Sequence, residues 1–153
     1  MIMPQSLAAV YIHYVFSTKN RHPFLADTSL RLEVFANLTA VAGNLDCPMI
    51  AVGGVSDHVH LLLRLSRNLA IAQCVKEIKR VSSIDAKGFS RSMREFSWQS
   101  GYGAFSVDQM GIAAVRHYIA TQEQHHKTET FKEEFLRLLR EHELEWDDRY
   151  VWD

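Results

Sequence analysis

Hydrophobic period changes along this chain in an order that few folds can accommodate. Residues 9–17, AVYIHYVFS, alternate apolar and polar positions and are rich in aromatic and β-branched side chains, which predicts a strand. After the loop KNRHPF, Asp27, Thr28 and Ser29 offer caps for a helix in which Leu32, Phe35, Leu38 and Ala42 recur at helical spacing and Gly43-Asn44 closes the end. Residues 48–53 and 57–65 are two apolar runs around a Gly-Val-Ser tip, read as a hairpin with Gly53-Gly54 at the bend. Asn68 or Ser66 can cap a second helix through about residue 86, with Ile71, Val75 and Ile78 inward and Lys76, Lys79 and Arg80 outward, and Gly88 ends it. FSWQSGYGAFSV, residues 96–107, reads as a fourth strand whose Gly101 and Gly103 suggest a bulge or close backbone approach. Ser106-x-x-Gln109 resembles a capping box for a third helix, GIAAVRHYIATQEQHH, with Ile112, Val115 and Ile119 as its core stripe. Thr130-x-x-Glu133 starts a last helix in the same way, with Phe131, Phe135, Leu138 and Leu139 inward.

The order β-α-β-β-α-β-α-α predicts an α+β fold whose first six elements follow the ferredoxin-like split βαβ sandwich plan. The expected sheet is antiparallel, with helices on one side and extra C-terminal helices. A chain of 153 residues with 47% hydrophobic composition can bury a sizeable core, and no linker, repeat or low-complexity tract divides it, so one domain spanning 1–153 is expected. The N-terminal run MIMPQSLAAVYIHYVF lacks a basic leader and carries Tyr11 and His13, so it reads as neither a signal peptide nor a membrane span. Cys47 and Cys74 offer no C-x-x-C zinc spacing and no disulfide framework, which fits a reducing cytoplasm.

The net charge of −1 is unevenly spread. Residues 1–128 hold 13 Lys or Arg against 9 Asp or Glu, and residues 129–153 hold 4 against 9. A polyanion can approach the first part and is discouraged at the tail, although solvated surface gives the same split.

His58 and His60 in DHVHLLLRL stand two apart on a strand, so both rings project from one face while Val59 turns to the other. Two neutral imidazoles are half of a divalent-metal site, and the plain alternative is two half-exposed polar residues on an open sheet face. On the third helix Tyr118 and Gln122 are four apart and His125 continues the ridge, either as amphipathic packing or as chemistry. A phenol with a pKa near 10 is a weak nucleophile unless a cation polarises the electrophile or a base takes its proton.

With these motifs the chain resembles the single-tyrosine HUH transposases of small bacterial insertion sequences, including the REP-associated tyrosine transposases. The segments HYVFSTKNR (13–21), DHVHLLLRL, WQSGYGAFSV and YIATQEQHHKTETFKEEF carry the resemblance. It implies that His58 and His60 bind Mg²⁺ or Mn²⁺, that Gln122 completes the site, and that Tyr118 is the nucleophile. It also implies a homodimer in which the tyrosine helix is commonly delivered by the other subunit, and a substrate of single-stranded DNA with hairpin ends, cut through a 5′-phosphotyrosine and rejoined. His125 and His126 stay open as rival ligands to Gln122, since imidazole suits a transition metal and an oxygen suits Mg²⁺.

Lys19, Arg21, Lys76, Lys79, Arg80, Lys87, Arg91 and Arg94 are candidates to track a DNA backbone, with ordinary solvated surface as the alternative. Trp98, Tyr102 and Phe105 either stack on unpaired bases or belong to the core. Two other functions fit the same pattern. A DNA-binding dimer that recognises hairpins without cutting would need neither Tyr118 nor a metal, and in a small metal-dependent phosphoesterase water would attack while Tyr118 merely packs.

Overall fold

Strand β1 (Tyr11–Ser17) lies inside the sheet and pairs antiparallel with β3 (His58–Arg64) on one side and β4 (Gly103–Val107) on the other. Strand β2 (Met49–Gly54) pairs antiparallel with β3, giving the order β2-β3-β1-β4 of the split βαβ plan. This computed structural model describes residues 4–153, so Met1–Met3 of the N-terminal run lie outside the described residues. No helix among the described residues is long and apolar enough to cross a membrane.

The alternation of β1 sorts its side chains between two cores. Ile12, Tyr14 and Phe16 join Val59, Leu61 and Leu63 in a cluster closed by α1 (Thr28–Asn44) and α2 (Ile71–Ala86). His13, Val15 and Ser17 fall on the opposite face, where the register pairs them with Leu62, His60 and His58. That second face is not open. Helix α5 (Phe131–Glu141) lays Phe131, Phe135, Leu138 and Leu139 over Val15 and Phe105, and its Thr130-Glu133 capping box forms as the sequence predicts. Helices therefore cover both faces, because the acidic tail still carries a strong apolar stripe that has to be buried.

Several local expectations are corrected. On α1 the inward stripe is Val34, Leu38, Val41 and Ala42, while Leu32 is 59% exposed. On α2 Ile71 is 42% exposed and Cys74 packs beside Val75 and Ile78. Gly53 and Gly54 end β2 instead of forming the bend, and the tip is Val55–Asp57. The fourth strand spans only Gly103–Val107, with Trp98 joined to Thr18 by an isolated bridge. Asp108, not Ser106, accepts the Gly111 amide before the third helix, at 2.7 Å.

That third helix is broken. It divides into α3 (Ile112–Ala120) and α4 (Gln122–His125) at Thr121, whose hydroxyl donates back to the His117 carbonyl at 2.9 Å. A side-chain donor that takes a helical carbonyl competes with the backbone ladder and bends the helix there. The end of α3 rests on β2 at Gly53, where any Cβ would stand 2.4 Å from the Ile119 carbonyl oxygen. The glycine thus lets the tyrosine-bearing helix reach the sheet.

Candidate metal and nucleophile site

β3 delivers His58 and His60 to the face under α5, and both rings are fully buried. Each imidazole is oriented through its other nitrogen. Asp57 Oδ1 lies 2.8 Å from His58 Nδ1, and His13 Nε2 lies 2.8 Å from His60 Nδ1. Such contacts fix tautomer and ring direction, and they aim both Nε2 atoms at one point.

Helix α5 brings the residue that meets them, Glu134, whose side chain is fully buried. Its Oε1 lies 2.9 Å from His60 Nε2, 3.2 Å from His58 Nε2 and 3.1 Å from His126 Nε2. Gln122 Oε1 joins the group at 3.2 Å from His58 Nε2 and 3.1 Å from His126 Nε2. Burial alone would raise the Glu134 pKa, but hydrogen bonds with His126, His58 and His60 hold the carboxyl well below the usual range, so it is a carboxylate. For His58 burial likewise works against charge, yet the bonds to Asp57 and Glu134 outweigh it and raise its pKa to about 9. His60 is pulled down to about 4 by burial, only partly opposed by Glu134.

The ligand atoms of His58, His60 and Glu134 all lie within 4.8 Å of one another. Ligands at right angles around a divalent ion, with bonds of about 2.1 Å, sit roughly 3 Å apart, which is the spacing of these nitrogen and oxygen pairs. The donor set fits a divalent cation, with Gln122 as a further oxygen and His126 beside it. Mixed imidazole and carboxylate donors suit ions of the Mn²⁺ class as well as Mg²⁺.

Tyr118 of the same chain completes the group. Its ring centroid is 5.7 Å from that of His60, its hydroxyl donates to Glu134 Oε2 in a short bond, and Arg137 Nη2 donates to that hydroxyl at 2.8 Å. Burial and the neighbouring carboxylate raise the phenol pKa, against the Arg137 cation, so at neutral pH the group is an un-ionised phenol. One carboxylate therefore faces the imidazoles with one oxygen and the phenol with the other. A cavity of about 470 Å³, lined by His13, Tyr118, Arg137 and His142 among others, opens beside the hydroxyl.

The sequence-predicted quartet of His58, His60, Tyr118 and Gln122 is thus brought together within one chain, without a second subunit. Of the rival ligands, His126 reaches the group, whereas the His125 ring packs at a tilt against the Tyr118 ring, with centroids 4.6 Å apart. Glu134 was missed, although a glutamate inside the stripe Phe131, Phe135, Leu138 was a visible signal.

The expected DNA contacts divide. Lys19, Lys76, Arg91 and Arg94 are exposed, Arg21 lies over the Trp152 ring at 5.8 Å, and Arg80 pairs with Glu77 at 2.8 Å. Lys79 and Lys87 instead hold the chain that leads to β4, donating to Gly101 O at 2.8 Å and Phe96 O at 2.7 Å. Trp98 and Phe105 are core residues, and Tyr102 stands at the surface.

The family model described as Transposase IS200 like matches residues 6–122, which leaves α5 and Glu134 beyond the matched stretch. No curated protein matches the chain. Among solved structures, a protein of Deinococcus radiodurans R1 assigned as a transposase superposes with a TM-score of 0.61 at 23% identity, covering 80% of this chain and 98% of that one. A REP-associated tyrosine transposase bound to a REP hairpin superposes with a TM-score of 0.59 at 13% identity, covering 82% of this chain and 73% of that one. At these identities the two structures share the fold.

Proposed function

Because the chain belongs to the IS200-like transposase family, we propose that it acts as one transposase domain over residues 1–153, a metal-dependent endonuclease and strand transferase of single-stranded DNA near hairpins. The observation that carries this reading is the shared carboxylate of Glu134, which bonds the Tyr118 hydroxyl and the imidazoles of His58 and His60 at once.

In this reading the scissile phosphate enters the cavity beside Tyr118, where Arg137 offers it a cation. The Tyr118 oxygen attacks phosphorus in line, the new O–P bond forms and the P–O3′ bond breaks, while the phenol proton leaves along its hydrogen bond to Glu134 and passes on to water, because a carboxyl held this far below its usual range does not keep it. The departing 3′ oxygen takes a proton from water. A raised phenol pKa disfavours a pre-formed phenolate, so a base already hydrogen-bonded to the phenol is what the step requires. His58, His60 and Glu134, with Gln122 adding an oxygen, would hold Mg²⁺ or Mn²⁺, and a cation there would supply Lewis-acid stabilisation of the charge on the phosphodiester. The 5′-phosphotyrosine conserves the bond energy, so a free 3′-hydroxyl can reseal the strand without a nucleotide cofactor. Tyr118 acts in its own chain, and a homodimer would arrange two sites instead of completing one.

Full burial of His58 and His60 under α5 favours a second reading, a regulator that binds hairpins without cutting. One assay separates the readings. The protein is incubated with Mn²⁺ and a hairpin DNA labelled on the 3′ side of the cut, then denatured. The endonuclease reading expects a protein-linked label that is lost in Tyr118→Phe, with the circular dichroism spectrum unchanged. Binding without any linked label supports the regulator, and small labelled products without linkage indicate a phosphoesterase.

A further inference from the structure

A second cavity, of about 610 Å³, lies on the other side of the sheet between α2 and residues 97–102. Its size is within the roughly 300–1,000 Å³ of small-ligand pockets. Lys76, Lys79 and Arg80 line it together with Ile84, Trp98 and Tyr102, and no carboxylate is among its lining residues. In a chain of net charge −1 that is a local concentration of positive charge.

The wall is built to stay. Lys79 places its ammonium 5.2 Å from the centre of the Phe16 ring and 5.9 Å from that of Tyr102, and donates to the carbonyls of Ser100 and Gly101 at 3.1 and 2.8 Å. Trp98 is fixed by its indole N–H, which donates to Ser82 Oγ at 3.0 Å. The cations at the rim are freer. Lys76 has no ion-pair partner among the described residues, and Arg80 is held only by a surface bond to the half-buried Glu77, a kind of contact worth little in water. Tyr102 and Ile84 keep exposed surface, 36% and 60%.

Side-chain packing connects the edge of the cavity with His58. Residues 97–100 are shared with a neighbouring cavity lined by Lys19, Asn20 and Trp152. Trp152 packs on Phe131, and Phe131 packs on His58 with ring centroids 4.7 Å apart.

We propose that the cavity between α2 and residues 97–102 seats one unpaired nucleotide of the same DNA strand that the Tyr118 site cuts. Lys76 and Arg80 hold its phosphate, and Tyr102 and Ile84 take the face of its base. The chemistry is that of a single-strand binder, a cationic edge with an aromatic platform, and it rests on the single-stranded DNA reading above. It adds a place where a base is gripped far from the bond that breaks.

The test is fluorescence anisotropy with a labelled DNA hairpin carrying a single-stranded arm, in which each arm base is replaced in turn by an abasic sugar. The expected result is one arm position where base removal weakens binding by about tenfold, a loss that is absent in Tyr102→Ala because stacking is already gone. Ile84→Glu, at an exposed position, repeats the test should the tyrosine variant fold poorly. Lys76→Glu with Arg80→Glu, both exposed, is expected to weaken binding about tenfold and to reduce the log–log salt slope by about 1. Binding that these variants leave unchanged, with no position-dependent coupling, overturns this proposal alone. Failure of the wild-type protein to bind any such oligonucleotide overturns the single-stranded DNA reading and this seat with it.

Discussion

Glu134 shows how one residue can hold a site together. A buried carboxylate is tolerated only with compensating partners, and here it has three imidazoles and a phenol. Glu134→Gln keeps the shape and removes the charge, so Mn²⁺ affinity measured by calorimetry is expected to fall at least about tenfold. An unchanged affinity would remove Glu134 from the ligand set. Strand and helix periods put His58 with His60, and Tyr118 with Gln122, on common faces, and the expectation that the two pairs form one site came from the family resemblance. Glu134 was harder to see, since it sits 74 positions from His60 and meets it only through the docking of α5. Its position inside an apolar stripe was nonetheless written in the chain.

At the scale of elements, the close approach of α3 to β2 sets where Tyr118 stands. Gly53→Ala would place a methyl 2.4 Å from the Ile119 carbonyl oxygen and 2.9 Å from its Cγ2. Overpacking of this kind costs about 1–3 kcal/mol, measurable as a lower urea midpoint, and the displaced helix is expected to slow adduct formation as well. Full stability with full adduct yield would mean that α3 does not need this contact. The order of strands and helices, the Asp27 cap of α1 and the capping box of α5 were readable from period and capping residues, whereas α2 starts after Ala70 with no side-chain cap, so neither Ser66 nor Asn68 caps it. The break at Thr121 was not readable, because an amphipathic pattern runs straight through it and only the hydroxyl bond to His117 reveals the bend. The covered second face was misjudged for a related reason: the stripe of α5 shows that a face is buried without saying against which surface.

Across the whole molecule, stability depends on which histidines are charged. Burial and the neighbouring His60 hold His13 at about 3, and burial holds His60 at about 4, both below the ordinary 6.5. Neutral rings in the fold bind fewer protons than the unfolded chain, so their contribution is present above 6.5 and is lost as pH falls. His58, raised to about 9, works in the opposite sense: its contribution is present below 6.5 and is lost as pH rises through about 9. Chelated protein is therefore expected to be most stable near pH 6.5. From there to about pH 5 it should lose on the order of 1–2 kcal/mol for each of His13 and His60, by urea denaturation. Stability that rises steadily from pH 5 to 9 would contradict this charge assignment. The central claim, that the metal-binding group and the Tyr118 phenol act on one phosphate, is tested most directly by mass spectrometry of the trapped protein–DNA adduct. The account predicts a nucleotide attached to Tyr118, formed with Mn²⁺ and absent both with chelator and in His60→Ala. An adduct on another residue, or one that forms equally without metal, would contradict it.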